Sequence, residues 1–170
     1  MIVIAQIVGL FAVTAFLLSY QQKKRTNIII WNATSRVLYI VQYIILGAFE
    51  GALLDVLGTL SCFMAQKKNN ELIQKHIKTF VIIINLLIIL AGLSIYKNIF
   101  SLFPIAGVLL HTSAFWLNQE KTIRIISFLG SPFWLTYNLV SQAYGSVIGD
   151  ILSMVSIGIA IYRYDIKTKK

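Results

Sequence analysis

The sequence predicts an all-α, polytopic membrane protein with seven transmembrane helices. Of its 170 residues, 58% are hydrophobic and 12% are charged, whereas a soluble domain has about 25% charged residues. The apolar residues form runs long enough to cross a bilayer, which takes about 20 residues, and the basic residues cluster between these runs. Composition therefore excludes a water-soluble fold, and the lipid bilayer is the first expected partner.

The first half of the chain is expected to hold three helices. The apolar run Ile2–Tyr20 lacks a preceding basic region and a cleavage site, so it predicts a retained helix rather than a signal peptide. Residues 28–66 are about twice the spanning length, and small and polar residues interrupt them at 47–51. Two further helices joined by a tight turn are expected there.

Four more helices are expected in the second half. After the basic stretch 67–78, the run 80–95 predicts a fourth helix and residues 100–117 a fifth. Residues 123–162 are again too long for one crossing, and polar residues at 141–145 divide them into a sixth and a seventh helix.

The distribution of basic residues predicts the orientation. With seven crossings, one face carries 13 of the 15 lysines and arginines, and basic residues of short loops stay on the cytoplasmic side. We therefore expect the N-terminus outside and the C-terminus in the cytoplasm. The net charge of +9 is explained in this way, so no nucleic-acid partner is expected.

An internal repeat relates the two halves. Residues 14–19 (TAFLLS) resemble 113–118 (SAFWLN), and Arg25 matches Arg124 at the same offset of 99. Tyr43 and Gly51 match Tyr137 and Gly145 at an offset of 94. This predicts two parallel three-helix repeats joined by a linker helix. The units are residues 1–66 (first bundle), 67–98 (basic loop and linker helix), and 99–170 (second bundle and basic tail).

A family resemblance rests on several segments. They are Gln6 and Gly9, SYQQKKR at 19–25, QYIILGAFEGA at 42–52, and WLTYN at 134–138. Together they resemble the YgjV-type bacterial inner membrane proteins, whose layout is similar to that of the SWEET and PnuC transporters among the MtN3/PQ-loop-related proteins. Two positions depart from the expected pattern: Gln42 replaces a histidine, and the run 61–63 replaces a basic residue. The resemblance implies the bacterial inner (plasma) membrane and a 3+1+3 helix plan.

One face of the predicted sixth helix carries the candidate solute-binding groups. Ser131, Trp134 and Asn138 share this face and Tyr137 adjoins it, so aromatic rings and hydrogen-bonding groups stand together. With Gln42 and Tyr43 of the matching helix, they would bind a small polar solute such as a sugar or a vitamin-like or nucleoside-like metabolite. The alternative is an interfacial aromatic belt, with Asn138 joining helices.

Pro132 and Pro104 are candidate hinges, because a proline inside a helix removes a backbone hydrogen bond. The resemblance to SWEET-like families suggests the same role. Near a helix end, either proline would only set the packing.

Three titratable residues inside apolar runs could couple transport to protons or ions: Asp55, Asp150 and His111. Asp55 and Asp150 occupy equivalent depths in the two repeats. The alternatives are a salt bridge to Arg36 or another hydrogen bond for the carboxylates, and a hydrogen bond across helices for His111.

Enzymatic function is not expected. The sequence contains no phosphate-binding loop, dinucleotide fingerprint, zinc-protease motif or nucleophile elbow in a suitable setting. The single cysteine, Cys62, leaves no basis for a metal site, and no cofactor is expected. The sequence favours a small-solute transporter or facilitator working by alternating access, as a monomer or small homo-oligomer. A non-transporting scaffold or regulatory subunit is the alternative.

Overall fold

The computed structural model describes residues 2–47, 49–94, 96, 98–140 and 144–167. The side chains of Ile2, Leu46, Phe49, Glu50, Asn138 and residues 144–146 also lie outside the description. Within these ranges the chain is helical, without a strand. The α-helices are α1 (Ile2–Tyr20), α2 (Arg25–Leu46), α3 (Phe49–Gln66), α4 (Glu71–Lys75), α5 (Ile77–Ser94), α6 (Leu102–Ala114), α7 (Glu120–Val140) and α8 (Tyr144–Ala160).

The tight turn between α2 and α3 falls where the sequence predicts it. Gly47 ends α2 with φ 71°, a left-handed conformation that glycine adopts without steric cost, and its N–H reaches the carbonyls of Ile44 and Tyr43. The long apolar segment 28–66 is therefore divided into two helices by a glycine C-cap.

The predicted basic loop at 67–78 contains a short helix that the sequence pattern does not reveal. The side chain of Asn70 accepts a hydrogen bond from the N–H of Leu72 at 3.1 Å, and Glu71 lies in the first turn of α4. Both features stabilise a helix N-terminus. Five residues are too few to show an amphipathic period.

The start of α6 is set by a capping box. Asn98 and Ser101 exchange side-chain and backbone hydrogen bonds around a 3₁₀ turn, Ile99–Ser101, and α6 follows. Pro104 lies in the first turn of α6, where a helical N–H has no partner inside the helix. Its proline ring therefore costs no helical hydrogen bond.

The helices pack as two triplets. In the first triplet α2 packs against both α1 and α3, and in the second triplet α7 packs against both α6 and α8. Between the triplets, α1 contacts α8 and α3 contacts α6, whereas α5 packs against α3 and α6. The order of contacts arranges the six triplet helices as a ring.

Four helices in the described ranges are long and apolar enough to span a membrane: Val3–Tyr20, Arg25–Ile45, Ile77–Ser94 and Val147–Ile166. The last continues α8 into a π-helix, Ile161–Ile166. Two shorter apolar segments, Gly51–Gln66 and Ile99–Ala114, also lie among the predicted crossings. The protein is thus a multi-pass helical membrane protein by length and composition. The count of seven crossings and the three-unit division stay predictions.

Candidate functional site

At one end of the ring, two arginines connect the triplets. Arg25 begins α2, and its side chain reaches backbone carbonyls at the end of α6: Nε donates to Leu117 at 2.7 Å, and Nη2 donates to Phe115. Nη2 also donates to the carbonyl of Ala65, in the last turn of α3, at 2.7 Å. The carbonyls at a helix C-terminus have no partner inside the helix, and the guanidinium supplies donors for them.

Arg124 repeats this arrangement from the opposite triplet. It lies in the first turns of α7 and is 1% exposed. Its Nε donates to the carbonyl of Tyr20 at 3.3 Å, and its Nη2 donates to the carbonyl of Gln22 at 2.8 Å, both at the end of α1. Its Nη1 pairs with Asp165 Oδ1 at 2.8 Å. Each arginine therefore binds the end of the other triplet's first helix.

A second reciprocal pair lies beside the arginines. The side chain of Gln21 donates from Nε2 to the carbonyl of Ser156, in α8, at 2.7 Å. The indole of Trp116 donates from Nε1 to the hydroxyl of Ser61, in α3, at 3.2 Å. Gln21 and Trp116 are 95 residues apart, and so are Ser61 and Ser156. This separation of 95 is within one residue of the offset of 94 that relates Tyr43 to Tyr137, whereas residues 14–25 follow the offset of 99.

Lys68 completes the closure of this end, which we call the basic end. Its ammonium donates to the carbonyls of Trp116 at 3.2 Å and Leu117 at 3.0 Å, and to the side-chain oxygen of Asn118. Burial, together with the nearby positive charge of Arg25, lowers the pKa of Lys68 to about 8.

Halfway along the helices, a buried ion pair joins α2 to α3. Arg36 Nη1 lies 2.8 Å from Asp55 Oδ1, and Arg36 Nε donates to Asn32 Oδ1 at 3.1 Å. Both charged residues are at most 8% exposed. Gly58 makes room for the guanidinium, since a Cβ there would meet it. The salt bridge that the sequence leaves open for Asp55 is present.

Between this ion pair and the basic end, His111 in the last turn of α6 joins Tyr20 at the end of α1. We call the region from the ion pair to this contact the middle level. His111 Nδ1 shares a hydrogen bond of 3.2 Å with the hydroxyl of Tyr20. Six buried polar side-chain atoms have no hydrogen-bond partner in the described part of the chain, and three of them belong to this region: His111 Nε2, Asn32 Nδ2 and Ser127 Oγ. Buried polar groups are normally paired with protein or water, so this level can accept water or a polar ligand.

Burial changes abruptly along α2 and α7. The last buried residue of α2 is Arg36, and no described side chain from Val37 onward is buried. In α7 the last buried residue is Ser131, and none of the described side chains from Pro132 onward is buried. One face of each central helix is therefore buried near the basic end, whereas the described side chains of the other half are all at least partly accessible.

Four of the predicted solute-binding residues lie in this half of the two helices: Gln42, Tyr43, Trp134 and Tyr137. The side chain of Gln42 lies over Gly9 of α1. A Cβ at Gly107 of α6 would lie 2.7 Å from Trp134 Nε1, so this indole covers α6. The rings of Trp134 and Tyr137 meet edge to face, with centroids 6.5 Å apart.

Tyr43 packs on residues of its own triplet. Its ring stacks on Tyr39, with centroids 5.9 Å apart, and covers Gly51. It lies within electrostatic range of Tyr137 and Asp150 of the second triplet.

The model of the bacterial inner membrane protein family Imp-YgjV matches residues 3–168. The chain belongs to this family. No significant match was found among curated proteins or solved structures. Membership in this family establishes a bacterial inner membrane protein, in agreement with the apolar helices.

The remaining residues that the sequence predicts for function in this Imp-YgjV protein lie in α7. Ser131 uses its hydroxyl within α7, donating to the carbonyl of Ser127 at 3.1 Å. Pro132 lies inside α7 at the point where burial ends. The side chain of Asn138 is outside the described part. Solute binding, hinge motion and proton coupling by the predicted residues stay predictions.

Sequence reasoning missed three polar residues of the middle level: Asn32, Tyr20 and Ser127. Arg36 entered only as a possible partner of Asp55. The available signal was the spacing of Asn32 and Arg36, four residues apart in an apolar run, which places both on one helix face. Nothing in the sequence pairs Tyr20 with His111.

Proposed function

We propose that this inner membrane protein is a small-solute transporter or facilitator that works by alternating access between two three-helix bundles. One observation carries the proposal: the triplets are tied at the basic end by reciprocal hydrogen bonds, whereas α2 and α7 are partly accessible over their other half. A bundle closed at one end and loosened at the other is the arrangement that alternating access requires.

The proposed architecture is seven transmembrane helices in a 3+1+3 plan, similar to that of SWEET transporters. The first triplet forms one bundle, α5 is the linker helix, and the second triplet forms the other. Its support is the crosswise pattern in which α1 contacts α8 and α3 contacts α6. In the proposed orientation, the N-terminus is outside and the basic end faces the cytoplasm.

The proposed solute path runs between α2 and α7. Tyr43 and Tyr137 would contact the solute first, and the side chains of Trp134 and Gln42 would line the path beside them. Aromatic faces and hydroxyl groups suit a sugar or a ring-containing metabolite. Asn138 belongs to the same proposed face by its position in α7.

Further along the path, the solute would meet the middle level with its ion pair. Opening of the basic end would expose Asp55 to water, and Asp55, with Asp150 and His111, would then exchange protons. Pro132 is the proposed bending point, because α7 lacks a backbone hydrogen bond there. Pro104 is the weaker hinge candidate because of its place in the first turn of α6.

Uptake by proteoliposomes tests the proposal. Purified protein would be reconstituted and offered radiolabelled sugars, nucleosides, vitamins and amino acids one at a time. We expect one solute class to accumulate above empty liposomes, and Tyr137→Ala and Tyr43→Ala to reduce its uptake about tenfold or more.

Tyr162→Ala is the matched control, because Tyr162 is 61% exposed and lies beyond α8, outside the proposed path. Equal uptake by all three variants would remove Tyr43 and Tyr137 from the path. No uptake of any solute by a well-folded protein would contradict transport and favour a scaffold or regulatory subunit.

A further inference from the structure

A second polar feature lies at the basic end, outside the proposed solute path. A cavity of about 630 Å³ opens between the loop after α1, the start of α7 and the π-helix that follows α8. Four cationic side chains line it: Lys23, Lys121, Arg124 and Arg163. None of the proposed transport residues contributes to this cavity.

The cations converge on one aromatic ring. Arg124 lies 5.1 Å and Arg163 5.2 Å from the centroid of Tyr164, and Lys23 lies 6.0 Å away. Tyr164 belongs to the π-helix Ile161–Ile166. Helices of this type are rare and often lie at functional sites. Here the π-helix brings a ring and a guanidinium to the cavity wall.

The two carboxylates of the cavity do not neutralise this charge. Glu120 accepts a hydrogen bond from the backbone N–H of Arg25 at 3.1 Å, and Asp165 pairs through Oδ1 with Arg124 at 2.8 Å. The residues that line the cavity carry a formal charge of +2, from four cations and two carboxylates. Asp165 Oδ2 is buried and has no hydrogen-bond partner among the described residues, so a ligand here should also offer a donor.

We propose that this cavity binds a phosphate group that carries a neighbouring hydroxyl. Lysine and arginine would hold the phosphate oxygens, and Asp165 Oδ2 would accept a hydrogen bond from the hydroxyl. Either an anionic phospholipid headgroup or a soluble phosphomonoester supplies this chemistry. Basic pockets at the cytoplasmic surface commonly bind lipid headgroups. The inference does not depend on transport.

The test measures the binding of an anionic lipid, phosphatidylglycerol, and of a soluble phosphomonoester, glycerol 1-phosphate. Phosphatidylethanolamine, which is zwitterionic, serves as the control lipid. Native mass spectrometry of the protein in detergent would count bound lipid, and a thermal-shift titration would follow the soluble phosphate. The variant Lys23→Ala/Lys121→Ala removes two exposed cavity cations. We expect its affinity to fall roughly 10- to 30-fold, since each cation near an anionic surface contributes roughly a fivefold effect.

The matched control is Lys75→Ala/Lys78→Ala, which removes the same charge from exposed positions outside the cavity. Loss of phosphatidylglycerol in the cavity variant alone would support the site and assign it to lipid. Loss of the glycerol 1-phosphate shift alone would support the site and assign it to a soluble ligand. The proposal would be overturned if both variants bound the ligands equally well. It would also be overturned if the protein retained phosphatidylethanolamine as well as phosphatidylglycerol and showed no thermal shift with glycerol 1-phosphate.

Discussion

The two triplets close the basic end in the same way but differ in their middle. Arg25 and Arg124 each bind the end of the other triplet's first helix. At mid-depth the first triplet has the Arg36–Asp55 pair, whereas the offset of 94 that joins Tyr43 to Tyr137 leads from Arg36 to Gly130. The ring of His111 covers Gly130. The contacts that both triplets make close the basic end, and the buried ion pair at mid-depth belongs to the first triplet.

The largest effect should come from breaking the buried pair of the first triplet. Arg36→Met leaves Asp55 buried without its partner, and removing one member of such a pair costs about 3–5 kcal/mol. The double variant Arg36→Met/Asp55→Leu should recover most of this loss, because no charge is left unpaired. Unfolding by denaturant in detergent measures both. A single variant as stable as the parent protein would contradict the importance of the pair.

The two arginines of the basic end should behave alike, which sharpens the comparison of the triplets. Hydrogen bonds to charged groups contribute about 1.5–3 kcal/mol each. We expect Arg124→Gln to lower the free energy of unfolding by about 3 kcal/mol, and Arg25→Gln by about 2 kcal/mol because this side chain is less buried. The same unfolding assay applies. If only one of the two variants lost stability, the two arginines would make similar contacts without contributing equally to stability.

A smaller loss of stability is expected when a glycine that packs against a large side chain is replaced. Gly107→Ala places a methyl group 2.7 Å from Trp134 Nε1, and overpacking of this kind costs about 1–3 kcal/mol. Gly158→Ala is the control, since nothing lies within 4 Å of its new methyl group. It should be neutral or stabilising by up to about 1 kcal/mol. Thermal unfolding compares the two, and equal stability would place Trp134 away from α6.

The last prediction concerns the pH dependence of stability and Lys68. Its pKa is about 8 in the folded chain against an ordinary 10.5, so the unfolded state binds more protons between these values. Stability should therefore rise with pH from about 8 to 10.5 relative to Lys68→Met, and the two profiles should run parallel below pH 8. Melting temperatures of both proteins across this range give the difference. Parallel profiles throughout would show that Lys68 is not desolvated.

Much of the fold follows from local signals in the sequence. Gly47 marks the α2–α3 turn through its backbone freedom, and apolar length predicts α1 and α5. The short helix α4 was missed because capping by Asn70, rather than apolar periodicity, creates it. The repeat singled out Arg25 and Arg124, yet their partners are backbone carbonyls. Every residue has such a carbonyl, so composition could not identify those of Leu117 and Tyr20.

The middle level was harder to predict, since its members come from distant parts of the chain. Tyr20 and His111 are 91 residues apart, and only the packing of α1 near α6 makes their hydrogen bond possible. Asp55 and Arg36 were linked in the sequence analysis as one alternative, because an intramembrane carboxylate needs a partner. Polar residues inside apolar runs thus indicated that buried polar contacts exist, but tertiary packing determines which residues pair.

The most direct test of the account is thiol accessibility at two depths of α2. Single cysteines at Tyr39 and Ile29, in a Cys62→Ala background, would be offered a small membrane-impermeant thiol reagent from each side of oriented vesicles. We predict that Tyr39→Cys reacts, whereas Ile29→Cys, at a position 1% exposed, reacts only when Arg25→Gln and Arg124→Gln are both present. Reaction of Ile29→Cys with both arginines intact, or protection of Tyr39→Cys from both sides, would contradict a bundle closed at the basic end and open at the other.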